Sequence, residues 1–332
     1  MSFINPKSKE IDVGYASHFC STHGVHERVT KKNVTEMVNR AQEQYLKNLL
    51  AHRLRKGVRP WELIDCTEGN DPNDIWIGVE WETGFKTLNE YRAVVQYMWQ
   101  YHHNWAIDAE GIGVHFGEFT FPPVELSKWV AGKSMMDSVR RWMATKGIVT
   151  PRNYEEIEGR RDYQPARGDA TDGWGCHINI SLPATRTNGN AHNTMCTVVN
   201  LLNTLMDDMS ASQQDRLFGR QPYGYGQSRS GSGQRWWEFK LFRTPVSDEE
   251  VENIRKVSTK LALLLGEYST NPHKYFSNHS ARSSGNAYTV LMPNRDELFA
   301  YLNGDAELVA SRQCSVTQYG NVDPSFFPST SK

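Results

Sequence analysis

Two glutamates stand two residues apart in a segment whose side chains alternate along the chain. Residues 75–82 read Ile-Trp-Ile-Gly-Val-Glu-Trp-Glu, so Glu80 and Glu82 lie on one face of a predicted β-strand. Because a strand rises roughly 3.3 Å per residue, their Cβ atoms are about 7 Å apart. Carboxylates at that spacing can bind one divalent cation or two neighbouring ones. The same pair is also ordinary on the solvent-facing side of an edge strand.

A second predicted strand brings further carboxylates. Residues 114–121 include Glu118, and Asp108 and Glu110 precede them in the chain. We expect this strand to end at Pro122 and the proline that follows it, because proline lacks the N–H that a sheet ladder uses. Acidic residues around two strands joined by a helical segment weaken the interpretation as an ordinary exposed face without excluding it.

A third predicted strand, residues 175–183, places a histidine among these acids. His177 and Asn179 lie on one of its faces, and apolar side chains occupy the other. Neutral imidazole is a common metal ligand, and a single histidine is equally a residue that completes a local hydrogen-bond network. The strand adds a candidate ligand without identifying its role.

A fourth predicted strand, residues 236–243, carries an acid beside a base. Alternation places Glu238 and Lys240 on one face, and it places Arg235 and Arg243 on the opposite face. The acid is a candidate metal ligand, and the lysine is a candidate partner for an anionic group.

Residues 218–235 form a Gly- and Ser-rich segment of low complexity. Its composition predicts a mobile loop, and Arg220 and Arg229 would attract anions. It contains no P-loop motif, so a phosphate-binding role depends on composition alone, and a plain surface loop is the alternative.

Helical patterns lie between and after these strands. A capping box begins at Ser247 and opens the longest of the helices downstream of the fourth strand. The predicted helices are residues 31–55, 87–102, 124–143, 192–209, 247–268 and 295–302, the last of which could continue to 311. Residues 324–332 are predicted to be a disordered tail.

Residues 1–30 are predicted to be polar and irregular. His18, His23 and His26 lie near Cys20 in this region. Their spacing matches no zinc-binding pattern, and no second cysteine pair accompanies them, so we do not predict a metal site there.

Composition excludes several classes of function. The 332 residues are 38% hydrophobic and 23% charged with a net charge of −1, which is typical of a globular protein and gives no indication of nucleic acid as a partner. The five cysteines are scattered and odd in number, as expected for free thiols in a reducing compartment. No apolar run approaches the length of a membrane span, and no signal-peptide pattern is present. These features predict a soluble, cytoplasmic protein that does not act at a membrane.

The four strands together resemble the amidoligase family, carboxylate–amine ligases of the glutamine synthetase-like superfamily. The resemblance rests on Gly-Val-Glu-x-Glu, Asp-(x)n-Gly-x-Glu-Phe-x-x-Pro-Pro, Gly-Cys-His-x-Asn and Trp-Glu-Phe-Lys-x-Phe-Arg in that order, over about residues 75–265. It implies an α+β fold in which a curved antiparallel sheet of the glutamine synthetase-like type is backed by helices. The predicted regions are an N-terminal extension with one long helix (1–74), a catalytic core (75–268) and a C-terminal helix and tail (269–332).

The resemblance also implies roles for individual residues. The implied metal ligands are Glu80, Glu82, Glu118, His177 and Glu238, with Glu110 and Asp108 competing for one further position. The implied catalytic residues are Glu80, Glu238, Lys240 and Arg243. The implied nucleotide- or phosphate-binding residues are Lys240, Arg235, Arg229 and Arg220, and the implied substrate-binding residue is Asn179.

The chain departs from the family pattern at three positions. Asn179 stands where many relatives have a second histidine, and Trp236 and Lys240 flank Glu238 where the family has two arginines. Lysine keeps the positive charge but cannot make the bidentate contact that a guanidinium makes with phosphate. These departures leave the metal-binding acids better supported than the phosphate-binding cations.

The expected function is ATP- and Mg²⁺-dependent ligation of a carboxylate to an amine through an acyl phosphate, with Mn²⁺ as a substitute for Mg²⁺. Phosphoryl transfer between two anions needs charge neutralisation, which a divalent cation and basic side chains provide. The expected partners are a small-molecule or peptide carboxylate and an amine, and a homo-oligomer is compatible with the sequence. Two alternatives remain: a non-catalytic structural or binding protein that retains the scaffold, and a metal-dependent amide or phosphate hydrolase.

Overall fold

A computed structural model of the chain describes the following residues: 13–22, 25–41, 71, 73–87, 89–91, 93–94, 97, 106–108, 116–131, 135–150, 174–220, 222, 224–231, 234–276, 288–308 and 312–316. The predicted disordered tail and Glu110 lie outside these residues.

The described chain mixes helices with an antiparallel sheet that is not closed, which agrees with the predicted α+β class. Six strands form one sheet in the order β2-β3-β1-β4-β6-β5, and two more pair as β7-β8. The strands are β1 (Trp76–Gly84), β2 (Ala106–Asp108), β3 (Phe116–Glu125), β4 (Gly175–Ser181), β5 (Gly224–Gly231), β6 (Gln234–Arg243), β7 (Tyr288–Met292) and β8 (Arg312–Val316).

The helices follow the apolar periodicity of the sequence. They are α1 (Val13–Thr22), α2 (Leu126–Ala131), α3 (Met135–Thr145), α4 (Pro183–Thr187), α5 (Gly189–Asp207), α6 (Ala211–Phe218), α7 (Asp248–Thr270), α8 (Pro272–Tyr275) and α9 (Arg295–Asn303), and residues 34–41 are also helical. The predicted cap of α7 is confirmed, because the Ser247 side chain accepts a hydrogen bond from the Glu250 N–H. Within the described ranges, no helix combines the length and apolar character that a membrane crossing needs.

The described residues fall into two compact units, each discontinuous along the chain. The first lies within Met1–Glu68, Gly78–Pro123 and Met135–Cys176, and the second within Gly69–Ile77, Val124–Ser134 and His177–Lys332. The three contiguous regions predicted from the sequence stay a prediction.

Each unit has its own apolar core. In the first, Trp81 packs on Phe119 with ring centroids 5.1 Å apart, and Phe119 stacks in turn on Phe121. In the second, helix α7 is buried along one side, and its Ser258 hydroxyl accepts a hydrogen bond from the Trp129 indole at 3.2 Å. Both cores bury aromatic side chains, which contribute the most apolar area per residue.

The structure corrects the predicted end of the second strand. Strand β3 continues through Pro122 to Glu125 instead of stopping at the proline pair, and the helix predicted from residue 124 is two helices, α2 and α3. The described pairing of β2 with β3 ends where Ala106 faces Thr120.

The Gly- and Ser-rich segment was wrongly predicted to be a loop. Residues 224–231 form strand β5, paired antiparallel with β6, with a register shift between Gly224 and Gln227. At the shift, the Gly226 N–H and C=O both hydrogen-bond the Asn203 side-chain amide at 2.8 Å. A Cβ atom on Gly226 would lie 2.4 Å from the Phe239 ring, so only glycine fits this bulge.

One other prediction of local structure was also wrong. The N-terminal region predicted to be irregular contains α1, in which Cys20 is buried. The helix predicted over residues 295–302 is confirmed: α9 begins at Arg295 and ends at Asn303, where Gly304 in a left-handed conformation (φ 83°) closes it before the optional extension to 311.

Candidate functional site

Successive side chains of the β5–β6 hairpin point alternately to its two faces. Gln227 lies opposite Glu238, and Ser228 lies opposite Trp237. Arg229, two residues after Gln227, therefore shares the Glu238 face. Lys240, two residues after Glu238, shares it as well.

Glu238 is the centre of a polar cluster on this face. Its side chain is only 6% exposed. Oε2 accepts hydrogen bonds from Arg229 Nε at 2.5 Å and from Gln227 Nε2 at 3.1 Å. Oε1 lies 3.3 Å from Lys240 Nζ and 3.4 Å from His177 Nδ1 on β4. One buried carboxylate is thus held by groups from three adjacent strands.

These contacts decide the ionisation of Glu238. Burial alone would raise the pKa of its carboxyl, because a low-dielectric environment disfavours the charged form. The His177 imidazole, the Arg229 hydrogen bond and the Lys240 charge outweigh burial and hold the pKa of Glu238 far below its usual range. Glu238 is therefore a carboxylate at every physiological pH, as a metal ligand or a phosphate-site acid requires.

A second set of predicted residues, in the first unit, offers ligand atoms for a cation. Glu80 and Glu118 each present one carboxylate oxygen, and these two atoms lie within 4.8 Å of each other. Glu118 is buried, and Glu80 is half-buried. Two carboxylates at this distance suit Mg²⁺ or Mn²⁺, so this pair fits the metal that the family resemblance implies.

Asn179 has the character expected of a ligand-binding residue. It lies two residues after His177 on β4, and its Oδ1 atom is buried with no hydrogen-bond partner among the described residues. A buried amide oxygen left in that state costs about 1–3 kcal/mol, so it is a natural acceptor for a substrate N–H or hydroxyl.

The structure gives one hydrogen bond or a backbone position for two of the remaining predicted acids. Glu82 accepts a hydrogen bond from the Gly175 N–H at 3.2 Å, at the start of β4. Asp108 pairs with Glu118 in the β2–β3 ladder, which fixes its backbone position. Their assignment as metal ligands stays a prediction, as does that of Glu110.

The predicted arginines separate into three environments. Arg229 contacts Glu238, whereas Arg243 forms an ion pair with Glu250 at 2.8 Å at the start of α7. Arg235 lies opposite Ser230, on the face of the hairpin away from Glu238. Arg220 is buried at the end of the α6 segment. Arg229 is therefore the arginine that the structure places in the Glu238 cluster.

Gln227 was not predicted from the sequence to be a site residue. Gln227 and Arg229 are separated by one serine, which is the period of a strand, but the surrounding glycines and serines indicated a loop. The alternation of polar side chains in Gly-Gln-Ser-Arg-Ser was the signal that could have placed both residues on one face.

No protein-family model matches the chain, and a search of the curated proteins finds no matching relative.

Proposed function

We propose that the chain is an ATP- and Mg²⁺-dependent carboxylate–amine ligase with a sheet of the glutamine synthetase-like type. The observation that carries the proposal is the convergence of His177, Lys240 and Arg229 on the buried Glu238 carboxylate. Each of these four residues was predicted from the sequence to belong to one site. A buried acid whose pKa is shifted by specific charged partners is a frequent feature of functional sites.

The basic and the acidic side chains of the site have different roles in the proposed reaction. Lys240 and Arg229 supply the positive charge that a transferring phosphoryl group needs, since its oxygens carry charge in the transition state. Their partial exposure, 33% and 46%, leaves them accessible to a bound nucleotide. Glu238, Glu80, Glu118 and His177 would hold Mg²⁺ or Mn²⁺, which neutralises phosphate oxygens when bound. Asn179 would orient the carboxylate or amine substrate through its buried amide.

The reaction proceeds in two displacements. A substrate carboxylate oxygen attacks the γ-phosphorus of ATP, the bond to the β-phosphate oxygen breaks and ADP leaves. The amine nitrogen then attacks the acyl-phosphate carbon, phosphate leaves, and the nitrogen gives a proton to solvent or to a base. Such a ligase would work in an ATP-containing, reducing cytoplasm, and Cys20 and Cys196, neither of which is in a disulfide, fit that setting.

The test is an activity screen with matched variants. Purified protein, ATP and Mn²⁺ are mixed with a panel of amino acids and short peptides as carboxylates and amines. We expect ADP release that requires both a carboxylate and an amine, with a condensed product detected by mass. Glu238→Gln should lower the rate by about 100-fold or more, whereas Glu252→Gln, on the exposed surface of α7, should not.

Other outcomes would contradict the ligase. Amide or phosphate hydrolysis without ATP would support the metal-dependent hydrolase. Mn²⁺ binding unchanged by Glu80→Gln and His177→Gln, together with no ADP release from any pair, would support a binding protein that retains the scaffold.

A further inference from the structure

The face of the hairpin away from Glu238 carries a serine in contact with a histidine. Ser228 is exposed on β5, and its Oγ lies 2.7 Å from His192 Nε2, in the first turn of α5. This distance is within the range that a nucleophile and its general base require. Neither residue belongs to the Glu238 cluster.

His192 is held in one orientation by its surroundings. Its side chain is buried, and its ring stacks on Trp237 with centroids 4.8 Å apart and planes 19° apart. Its other ring nitrogen, Nδ1, is buried with no hydrogen-bond partner in the described part of the chain. The ring therefore hydrogen-bonds the Ser228 hydroxyl through Nε2, and stacking on Trp237 holds the ring in the orientation that points Nε2 toward it.

The environment also keeps His192 neutral. Burial lowers the pKa of its imidazole, and the nearby Arg235 charge lowers it further. A neutral imidazole at pH 7 has a ring nitrogen able to accept a proton, which is the state that a general base needs.

Arg235 completes a set of three groups on this face. It lies opposite Ser230 in the β5–β6 ladder, and Ser230 follows Ser228 by one strand period. Its guanidinium lies over the start of α5, where a Cβ atom on Gly189 would be 3.0 Å from Nη1. The side chain therefore occupies space that the glycine leaves open, beside His192.

We propose that Ser228 is a nucleophile toward carboxylic esters, with His192 as its base and Arg235 as the cation that balances negative charge on the substrate. This activity is independent of the proposed ligase site on the other face. The arrangement is a dyad, since Nδ1 of His192 has no carboxylate partner among the described residues.

The chemical step balances without a further reactant. Ser228 Oγ forms a bond to the ester carbonyl carbon as its proton moves to His192 Nε2. The carbon–oxygen bond to the leaving alcohol breaks, and the alcohol takes the proton from His192. Water then attacks the acyl carbon as its proton moves to the same nitrogen. The bond from that carbon to Ser228 Oγ breaks, Oγ takes the proton back from His192, and the acid leaves.

A fluorophosphonate probe tests the dyad on the full chain. Oγ bonds to phosphorus, fluoride leaves, and the proton passes through His192 to water. We expect one adduct in the intact mass of the unmodified protein, mapped by peptide analysis to Ser228. Ser228→Ala should abolish it, and His192→Gln should slow labelling by about 100-fold or more. Ser230→Ala, on the same strand and face, is the matched control and should label at the original rate.

Each contrary result overturns the proposal. Absence of an adduct on Ser228 in the unmodified protein removes the nucleophile, and this measurement needs no variant to fold. Labelling of a His192→Gln protein at the original rate, with its circular dichroism unchanged, makes the Ser228–His192 hydrogen bond a structural contact only.

Discussion

On one face of the β5–β6 hairpin, Glu238 is buried among basic side chains, and on the other, His192 is buried against Trp237. On the first face the surroundings favour the charged form of Glu238, and on the second they favour the neutral form of His192. The same two strands build both environments, because alternate residues point to opposite sides. The two environments differ because different elements pack on the two faces: β4 brings His177 to one face, and α5 brings His192 to the other.

The largest expected effect on stability comes from adding a side chain at Gly226, the bulge residue of β5 that lies against the Phe239 ring. Gly226→Val should lower the free energy of unfolding by about 3 kcal/mol, because the new side chain would overlap the Phe239 ring. Urea unfolding followed by fluorescence measures the change. Ser230→Val, on the exposed part of the same strand, is the control and should change stability little. Equal stability of the Gly226→Val protein would show that the hairpin can repack.

The second prediction concerns the face of the β5–β6 hairpin that carries Glu238. Glu238→Ala should lower the free energy of unfolding by about 2 kcal/mol, because it leaves basic groups beside a buried space without their counter-charge. The loss is smaller than for a fully buried pair, since Arg229 and Lys240 are 46% and 33% exposed and water screens them. Chemical unfolding at low and high salt measures it, and an unchanged or raised stability would contradict this account of the cluster.

The two faces should respond to acid in different pH ranges. The pKa of His192 is lowered in the folded chain, so its contribution is present above the ordinary value of 6.5 and is lost as pH falls below it. The pKa of Glu238 is also lowered, so its contribution persists until pH falls below 4.5. Thermal unfolding from pH 7.5 to 5 should show a loss of stability that His192→Gln diminishes. The same loss in both proteins would assign it to other groups.

The smallest effect is expected at Gln227. Gln227→Ala removes one hydrogen bond to Glu238 from an exposed side chain, which should cost about 1 kcal/mol or less. Thermal unfolding at pH 7 measures it, with Ser230→Ala as the control. A loss as large as that of Glu238→Ala would mean that Gln227, and not the basic groups, holds the carboxylate in place.

Strand periodicity predicted the parts of the site that a single strand determines. Glu238 and Lys240 lie on one face as expected, and His177 lies on the neighbouring strand that its own alternation predicted. Alternation also placed Arg235 on the face away from Glu238, as observed. These predictions held because period-two patterning depends on backbone geometry alone.

The predictions that were wrong concern segments whose structure depends on contacts between residues far apart in the sequence. Strand β5 has almost no apolar side chains of its own, and its aromatic neighbours come from Trp237 and Phe239 on β6. Composition therefore indicated a loop, whereas tertiary pairing made a strand. The predicted end of β3 was also wrong, since the proline pair indicated a stop whereas the strand continues to Glu125.

The Gly226 bulge has a consequence for tracing the ancestry of this hairpin. Its fit depends on three residues at once: the glycine, the Asn203 amide that holds both of its backbone groups, and the Phe239 ring that excludes any side chain. A change at one of them is tolerated only with compensation at the others. Distant relatives that have lost the charged residues should still be recognisable by this asparagine–glycine–phenylalanine combination, with the asparagine 23 positions before the glycine.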